Sequence, residues 1–166
     1  MNLVNTKNEY GLVSRCLHWL TALGVILLFA FGLWMTELDY YHAWYHKAPD
    51  LHRSIGLLLL AITLFRLTWN RVTGVPGVIS EQRWQRVTAF VMHKLLIVLI
   101  LLAGVLGYLI STADGRAVSF FALFTIPALP WRFDNQEDIA GELHEAVAWL
   151  LIATALVHAS AALSHH

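Results

Sequence analysis

The stretch Leu143–Leu163 reads LHEAVAWLLIATALVHASAAL and carries one formal charge, at Glu145. The hydrocarbon core of a bilayer is about 30 Å thick and takes roughly 20 mostly apolar residues as a helix, so the stretch reads as a membrane span. Two histidines interrupt it, His144 at the start and His158 near the end. They stand two heptads apart, which puts both on one face of the helix, separated along it by about 21 Å. An ionisable group inside a membrane is costly and by default marks a functional site. This span presents two imidazoles, at two depths.

Three further stretches qualify as spans: Leu17–Met35, Leu51–Trp69 and Ala89–Ile110, the last containing LLIVLILLAGVLGYLI. The 166 residues are 58% hydrophobic and 13% charged, with a mean hydropathy of +0.60. Soluble domains run to about 45–50% apolar and about 25% charged. The shift on both counts excludes a disordered chain and a basic nucleic-acid binder, and argues against a soluble enzyme. Cys16 is the sole cysteine, so the chain has no internal disulfide, no Cys-based zinc site and no iron–sulfur cluster of its own. The length allows one domain. The expected fold is an all-α membrane protein, a single domain over 1–166, built as a bundle of four transmembrane helices. The first span is too long for a cleaved signal peptide, and no small-residue cleavage site follows it.

The connections differ in character. ELDYYHAWYHKAPD, between the first two spans, is rich in aromatic residues and suits the membrane–water interface. His42 and His46 within it stand four apart and would clasp a metal on a helix, but Tyr40, Tyr41, Trp44 and Tyr45 favour an aromatic belt. The connection between spans 2 and 3 carries Gly-Val-Pro-Gly turn signals. The longest connection, Ser111 to Glu142, holds an apolar patch, Val118–Trp131. Pro127 and Pro130 break it, so it is expected to lie on the membrane surface.

Lys and Arg set the orientation. Lys7, Arg15, Arg66, Arg71, Arg83, Arg86 and Lys94 fall on the side of the N-terminus, with only Glu9 and Glu81 against them, a net of +5. The opposite side has Lys47, Arg53, Arg116 and Arg132. Its acids are Glu37, Asp39, Asp50, Asp114, Asp134, Glu137, Asp138, Glu142 and Glu145, a net of −5. Both termini are therefore expected to be cytoplasmic. The chain's zero net charge is a cancellation between its two ends.

Paired by depth, His52 meets His144 on the outer side, and His158 meets His18 or His93 on the inner side. Bundles build cofactor sites from inward-facing side chains on different helices. Two bis-imidazole sites stacked across four helices are what two haems need, with Gly32, Gly56, Gly104 and Gly107 making room for the flat macrocycle. No Cys-x-x-Cys-His occurs, which points to non-covalent haem b. Two axial histidines fill both faces of the iron, which favours electron transfer over oxygen binding. Arg53, beside His52, either neutralises a propionate or snorkels to headgroups.

Cys16-Leu17-His18-Trp19-Leu20, Leu51-His52-Arg53-Ser54-Ile55-Gly56, Gly107-Tyr108-Leu109-Ile110-Ser111, Leu143-His144-Glu145 and Val157-His158-Ala159 together resemble the bacterial cytochrome b561 family, over nearly the whole chain. So does the ending, Ala162-Leu163-Ser164-His165-His166. The resemblance implies a multi-pass protein of the bacterial inner membrane with two haem b groups, exchanging electrons with membrane quinone. His18, His52, His144 and His158 match its ligand-bearing motifs, His52 with His144 for the outer haem and His18 with His158 for the inner. His93, Lys94 and His165 become candidates for a ubiquinone pocket. Trp19 and Trp149 are candidates for packing on porphyrin.

The expected function is electron transfer between the quinone pool and a periplasmic protein or small molecule. One relative implied by the resemblance is a superoxide oxidase, which passes electrons from superoxide to ubiquinone. Positive fields steer an anionic substrate and negative ones repel it, so the acidic outer side ranks that activity second. A divalent-metal transporter built on the intramembrane histidines ranks third. Transporters keep carboxylates near the midplane, and these span centres have none.

Overall fold

A computed structural model describes residues 2–77 and 82–164 of the chain. Four long helices dominate it: α1 (Leu12–Thr36), α2 (Lys47–Thr73), α3 (Arg83–Ser111) and α4 (Gln136–Ser164). All four are long and apolar enough to cross a membrane. Each contains its expected span and runs past it into polar residues at one or both ends. The extensions follow local rules. Gln136, Glu137 and Asp138 open α4, where acidic side chains complement the positive end of the helix dipole. Asp50 does the same in the first turn of α2, with Arg71 in the last. Pro49 fits that first turn because its missing N–H has no helical partner to lose. Gly74, at φ 76°, ends α2 in a conformation that disfavours other residues.

The helices alternate in direction. α3 packs closely on α4, α1 on α2 and α2 on α3, and a shorter α1–α4 contact closes the ring. Val25, Leu59, Leu99, Ile100 and Leu151 form the buried centre, with Leu28, Leu96, Val147 and Ile152 around it. Only 17–22% of the residues in each apolar window are buried inside the bundle. The outward apolar surface, Leu20, Leu23, Ile26 and Leu27 on α1 among it, is what a helix facing lipid requires. Thr21, Thr63 and Thr154 are buried between helices, and each donates its hydroxyl to the carbonyl four residues back. Small polar residues can therefore sit in the seam at no hydrogen-bonding cost.

One end of the bundle gathers the N-terminus with the last turns of α2 and α4. There Asn5 Nδ2 donates to Thr73 Oγ1 (3.0 Å) and to the Gly74 carbonyl (2.7 Å), while Gly11 N–H donates to Asn5 Oδ1 (2.9 Å). These bonds tie the N-terminal segment across the end of α2.

The opposite end is closed by a feature that hydropathy alone does not announce. Within the apolar patch of the α3–α4 connection, β1 (Val118–Phe120) pairs antiparallel with β2 (Phe124–Ile126). Three residues join the strands; Phe121 (φ 49°) and Ala122 (φ 58°), both in the left-handed region, are the central pair of a turn that the Leu123 N–H closes on the Phe120 carbonyl (2.9 Å). Ser54 of α2 holds the turn: its Oγ accepts the Phe121 N–H (3.0 Å) and donates to the Asp50 carbonyl (2.9 Å). Tyr108 Oη donates to the Pro127 carbonyl (2.7 Å), fastening the far side to α3. Leu123, Phe124 and Trp131 remain exposed.

Ser54 is 3% exposed and its replacement by Ala leaves the Phe121 N–H unpaired. A lost bond of this kind costs about 1–3 kcal/mol. Ser54→Ala is expected to speed hydrogen exchange at the Phe121 amide roughly tenfold or more, with the four helices unchanged. Exchange measured by mass spectrometry in detergent checks it.

Candidate functional site

His52 of α2 and His144 of α4 face each other at the end of the bundle that carries the hairpin. Their ring centres are 6.3 Å apart and their planes nearly perpendicular, at 80°. Two imidazoles each giving a nitrogen to one metal from opposite sides, at about 2 Å, stand roughly 6 Å apart centre to centre. The observed separation fits that arrangement. The tautomer of His144 fits it too. Its Nδ1 lies 2.9 Å from the Ala103 carbonyl of α3. A carbonyl only accepts, so Nδ1 carries the proton and Nε2 keeps a free lone pair, the second-neighbour pattern of metal-bound histidine. His52 Nδ1 is buried with no hydrogen-bond partner among the described residues.

Around this pair lies a cavity of about 670 Å³, within the range of small-molecule and cofactor sites. Gly32, Gly56, Gly104, Gly107 and Gly141 line it, as do Leu28, Phe29, Leu60 and Trp149. Two of these glycines act directly on the histidines. A Cβ at Gly32 would come within 3.3 Å of His52 Cε1, and one at Gly107 within 3.4 Å of His144 Cε1. Glycine inside a helix costs about 1 kcal/mol relative to alanine; at these positions it leaves the rings their place. Phe31 stacks along His52 from α1, centres 6.2 Å apart. A flat, largely apolar group with an iron between two imidazoles fits this donor set and this cradle.

Polar groups rim the cavity: Arg53, Asp114, Arg116, Glu137 and Glu145. Both arginines are paired. Arg53 bonds Asp50, and Arg116 Nε donates to Asp114 Oδ2 at 2.6 Å. The Arg116 guanidinium holds the exposed Asp114 carboxyl below the usual carboxylate range, and Asp114 in turn raises Arg116.

The other end of the bundle brings together His18 (α1), Arg66 (α2), His93 (α3) and His158 (α4). His93 and His158 are in ring contact, centres 5.1 Å apart. That is about 1 Å closer than two imidazoles sharing one metal from opposite sides. Arg66 Nη2 lies 3.4 Å from His18 Nδ1, and His18 is also within electrostatic reach of His93 and His158. His18 and His158 are half-buried, whereas His93 and the adjacent Lys94 are exposed at the bundle's flank. The Lys94 ammonium sits over the Phe90 ring, 5.5 Å from its centre. Among the described residues, no three His, Cys, Asp or Glu side chains converge closely enough to hold a bare metal ion.

The remaining sequence candidates fall differently. Trp149 lines the cavity and meets Phe29 edge to face, while Trp19 is 70% exposed with its edge on His18. His42 and His46 are engaged with aromatic neighbours, His42 with Trp34 and His46 with Tyr40 and Tyr45. His165 lies outside the described residues. Sequence reasoning missed two participants: the Ala103 carbonyl, which no side-chain pattern signals, and Arg66 as a member of the histidine cluster. A lone arginine near the end of an apolar span was the available signal.

The family model described as prokaryotic cytochrome b561 matches residues 9–166. Cytochrome b561 homolog 2 of Escherichia coli (strain K12) is 42% identical to the chain over 167 residues, covering 100% of this chain and 89% of that protein. A match that begins just before α1 and reaches the last residue takes in all four helices and every histidine of both clusters, and the chain belongs to the prokaryotic cytochrome b561 family.

Proposed function

We propose that the chain carries two haem b groups and moves electrons across the bacterial inner membrane, between the ubiquinone pool and a redox partner on the outer face. Family membership implies the coarser part, a multi-pass membrane protein with haem b in electron transfer. The observation that carries the rest is the His52–His144 pair, opposed across a glycine-lined cavity with the His144 proton fixed on Nδ1.

In this reading residues 1–166 form one domain with both termini in the cytoplasm, a placement that the +5 and −5 ends support. His52 and His144 hold the outer haem, and His18 and His158 the inner one. A haem held by these imidazoles would supply a one-electron couple. The chain's own role is to fix the imidazole orientations, through the Ala103 carbonyl at His144, and to keep water from the cavity with the hairpin. Exposure of His93 and Lys94 at the flank supports a role at a quinone headgroup, since a membrane-dissolved molecule reaches that surface without opening the bundle. The short His93–His158 approach supports assigning the second inner ligand to His18, because the two contacting rings leave too little room for iron between them.

Arg53 and Arg116 at the rim of the outer cavity favour a second reading, superoxide oxidation coupled to quinone reduction. Both guanidiniums are engaged by carboxylates, Asp50 and Asp114. A neutralised arginine attracts an anion weakly. Electron exchange with a cationic or protein partner therefore stays ahead.

Four experiments test these assignments. The purified protein is expected to give b-type bands in a reduced-minus-oxidised spectrum. Haem should fall by about half in His18→Ala and remain complete in His93→Ala; the reverse pattern moves the ligand role to His93. Gly107→Val and Gly32→Val should each remove the outer haem alone, read as haem per chain with helix content from circular dichroism unchanged. Stopped-flow reduction by superoxide should run well below the diffusion limit of about 10⁹ M⁻¹s⁻¹ and should not slow as salt is added. A near-diffusional rate that salt suppresses would establish the second reading instead.

A further inference from the structure

The ring of four helices repeats itself after half a turn about the bundle axis. α1 packed on α2 matches α3 packed on α4. The match holds position by position on the inward faces. His18, Val25, Leu28 and Gly32 of α1 stand 75 positions before His93, Ile100, Ala103 and Gly107 of α3. His52 and Leu59 of α2 stand 92 positions before His144 and Leu151 of α4. Val25, Ile100, Leu59 and Leu151 all belong to the buried centre, so the core maps onto itself.

Each half sets one imidazole of the outer pair against a glycine of the preceding helix. A Cβ at Gly107 would stand 3.4 Å from His144 Cε1 and 3.6 Å from its Nδ1. One at Gly32 would stand 3.3 Å from His52 Cε1 and 3.8 Å from its Nδ1. In a helix each N–H bonds the carbonyl four residues back, which puts the Ala103 oxygen beside the Gly107 nitrogen. With no side chain on Gly107, a spare lone pair of that oxygen is open to the next helix. His144 Nδ1 uses it, at 2.9 Å.

Gly32 lays the Leu28 carbonyl open in the same way, and both residues line the same cavity as Ala103 and Gly107. An acceptor therefore stands in the matching place, yet His52 Nδ1 is buried with no partner among the described residues. The two sets of distances differ by a tilt. Compared with the His144 ring, the His52 ring leans its Cε1 toward its glycine and its Nδ1 away from it. A small swing of one imidazole separates the two halves from equivalence.

We infer that the Leu28 carbonyl is the acceptor for the His52 Nδ1 proton, and that this bond closes when a haem is seated between His52 and His144. The inference rests on the outer-haem reading above. A metal-bound histidine almost always donates its other ring N–H, and the bond fixes both its tautomer and its orientation. Leu28 and Gly32 are positioning residues, acting on the iron only through His52. A hydrogen-bonded imidazole is a more basic ligand. It favours ferric over ferrous iron, so the bond lowers the midpoint potential.

The test uses the full chain purified in detergent with its haem, reduced to the diamagnetic low-spin form and labelled with ¹⁵N-histidine for NMR. The His52 Nδ1 proton is expected downfield and slow to exchange with water, like that of His144. In Gly32→Ala the new methyl meets Cε1 and holds the ring in its tilt. Haem should then bind about tenfold more weakly, and one midpoint potential should rise. The His52 proton should move upfield and exchange faster, with the His144 proton unchanged. Joint labelling of Leu carbonyl carbons and Phe nitrogens resolves Leu28 from Leu64 and Leu123, the other leucines that precede a phenylalanine. The Leu28 carbon should move upfield in Gly32→Ala while the other two stay.

A His52 proton that exchanges freely in the wild-type chain overturns the proposal, because its acceptor is then water. A slow proton that Gly32→Ala leaves untouched, or whose loss leaves the Leu28 carbon unmoved, also overturns it by requiring another acceptor. If Gly32→Ala fails to fold or to hold haem, the wild-type chain decides: a Leu28 carbon that does not move downfield on haem loading overturns the proposal. Failure of the outer-haem reading is a separate result, seen first as a full haem complement in His52→Ala.

Discussion

Inside a bilayer no water is available to satisfy a polar group, so each must find its partner within the bundle. That constraint organises this molecule. Thr21, Thr63 and Thr154 meet it by bonding back to their own helices, which lets the seams stay narrow. An imidazole has no such escape, because neither ring nitrogen reaches its own helix as easily as a hydroxyl does. His144 instead uses a carbonyl of the neighbouring helix, and the remaining intramembrane histidines gather in two clusters. Their positions fix which helix faces turn inward, and the leucines and isoleucines on the opposite faces are left to lipid.

How much of this was legible depended on the range of the physics involved. The four helices could be read directly, since a run of apolar residues long enough to span a membrane has few other stable uses. The depths of His52, His144, His18, His93 and His158 followed from counting along those helices. Rotation about each helix axis did not, and it decides which of His18 and His93 stands nearest His158. The hairpin was illegible for a different reason. Its turn residues, Phe121 and Ala122, lack the glycine or asparagine that announces a left-handed pair. Their conformation is held from outside, by Ser54 across the chain, so no local signal could carry it.

Charge shows the same division between what sums reveal and what geometry adds. Counting assigns +5 to one end and −5 to the other, the asymmetry on which the expected orientation rests. It says nothing of pairing. At the outer cavity the arginines are matched to carboxylates, and Arg116 and Asp114 each deepen the other's charged state. At the opposite end Arg66 is matched to none among the described residues. The acidic end thus holds Arg53 and Arg116 in neutral pairs, while the basic end keeps Arg66 available to whatever anion can reach it.

The two clusters also differ in readiness, and this bears on how a dihaem chain would be assembled. At the outer pair the imidazoles already stand 6.3 Å apart, one tautomer is fixed, and glycines keep the cavity open. Binding there would leave the framework nearly as it is, and little of the interaction energy would go into reorganisation. The inner cluster is closed upon itself, with His93 against His158 and Arg66 against His18. A ligand entering it must separate the contacting rings and redirect a guanidinium. On the dihaem reading the outer haem should therefore bind first and more tightly. The inner site would then be the one whose occupancy and potential respond to the surroundings, at the end where His93 and Lys94 meet the membrane.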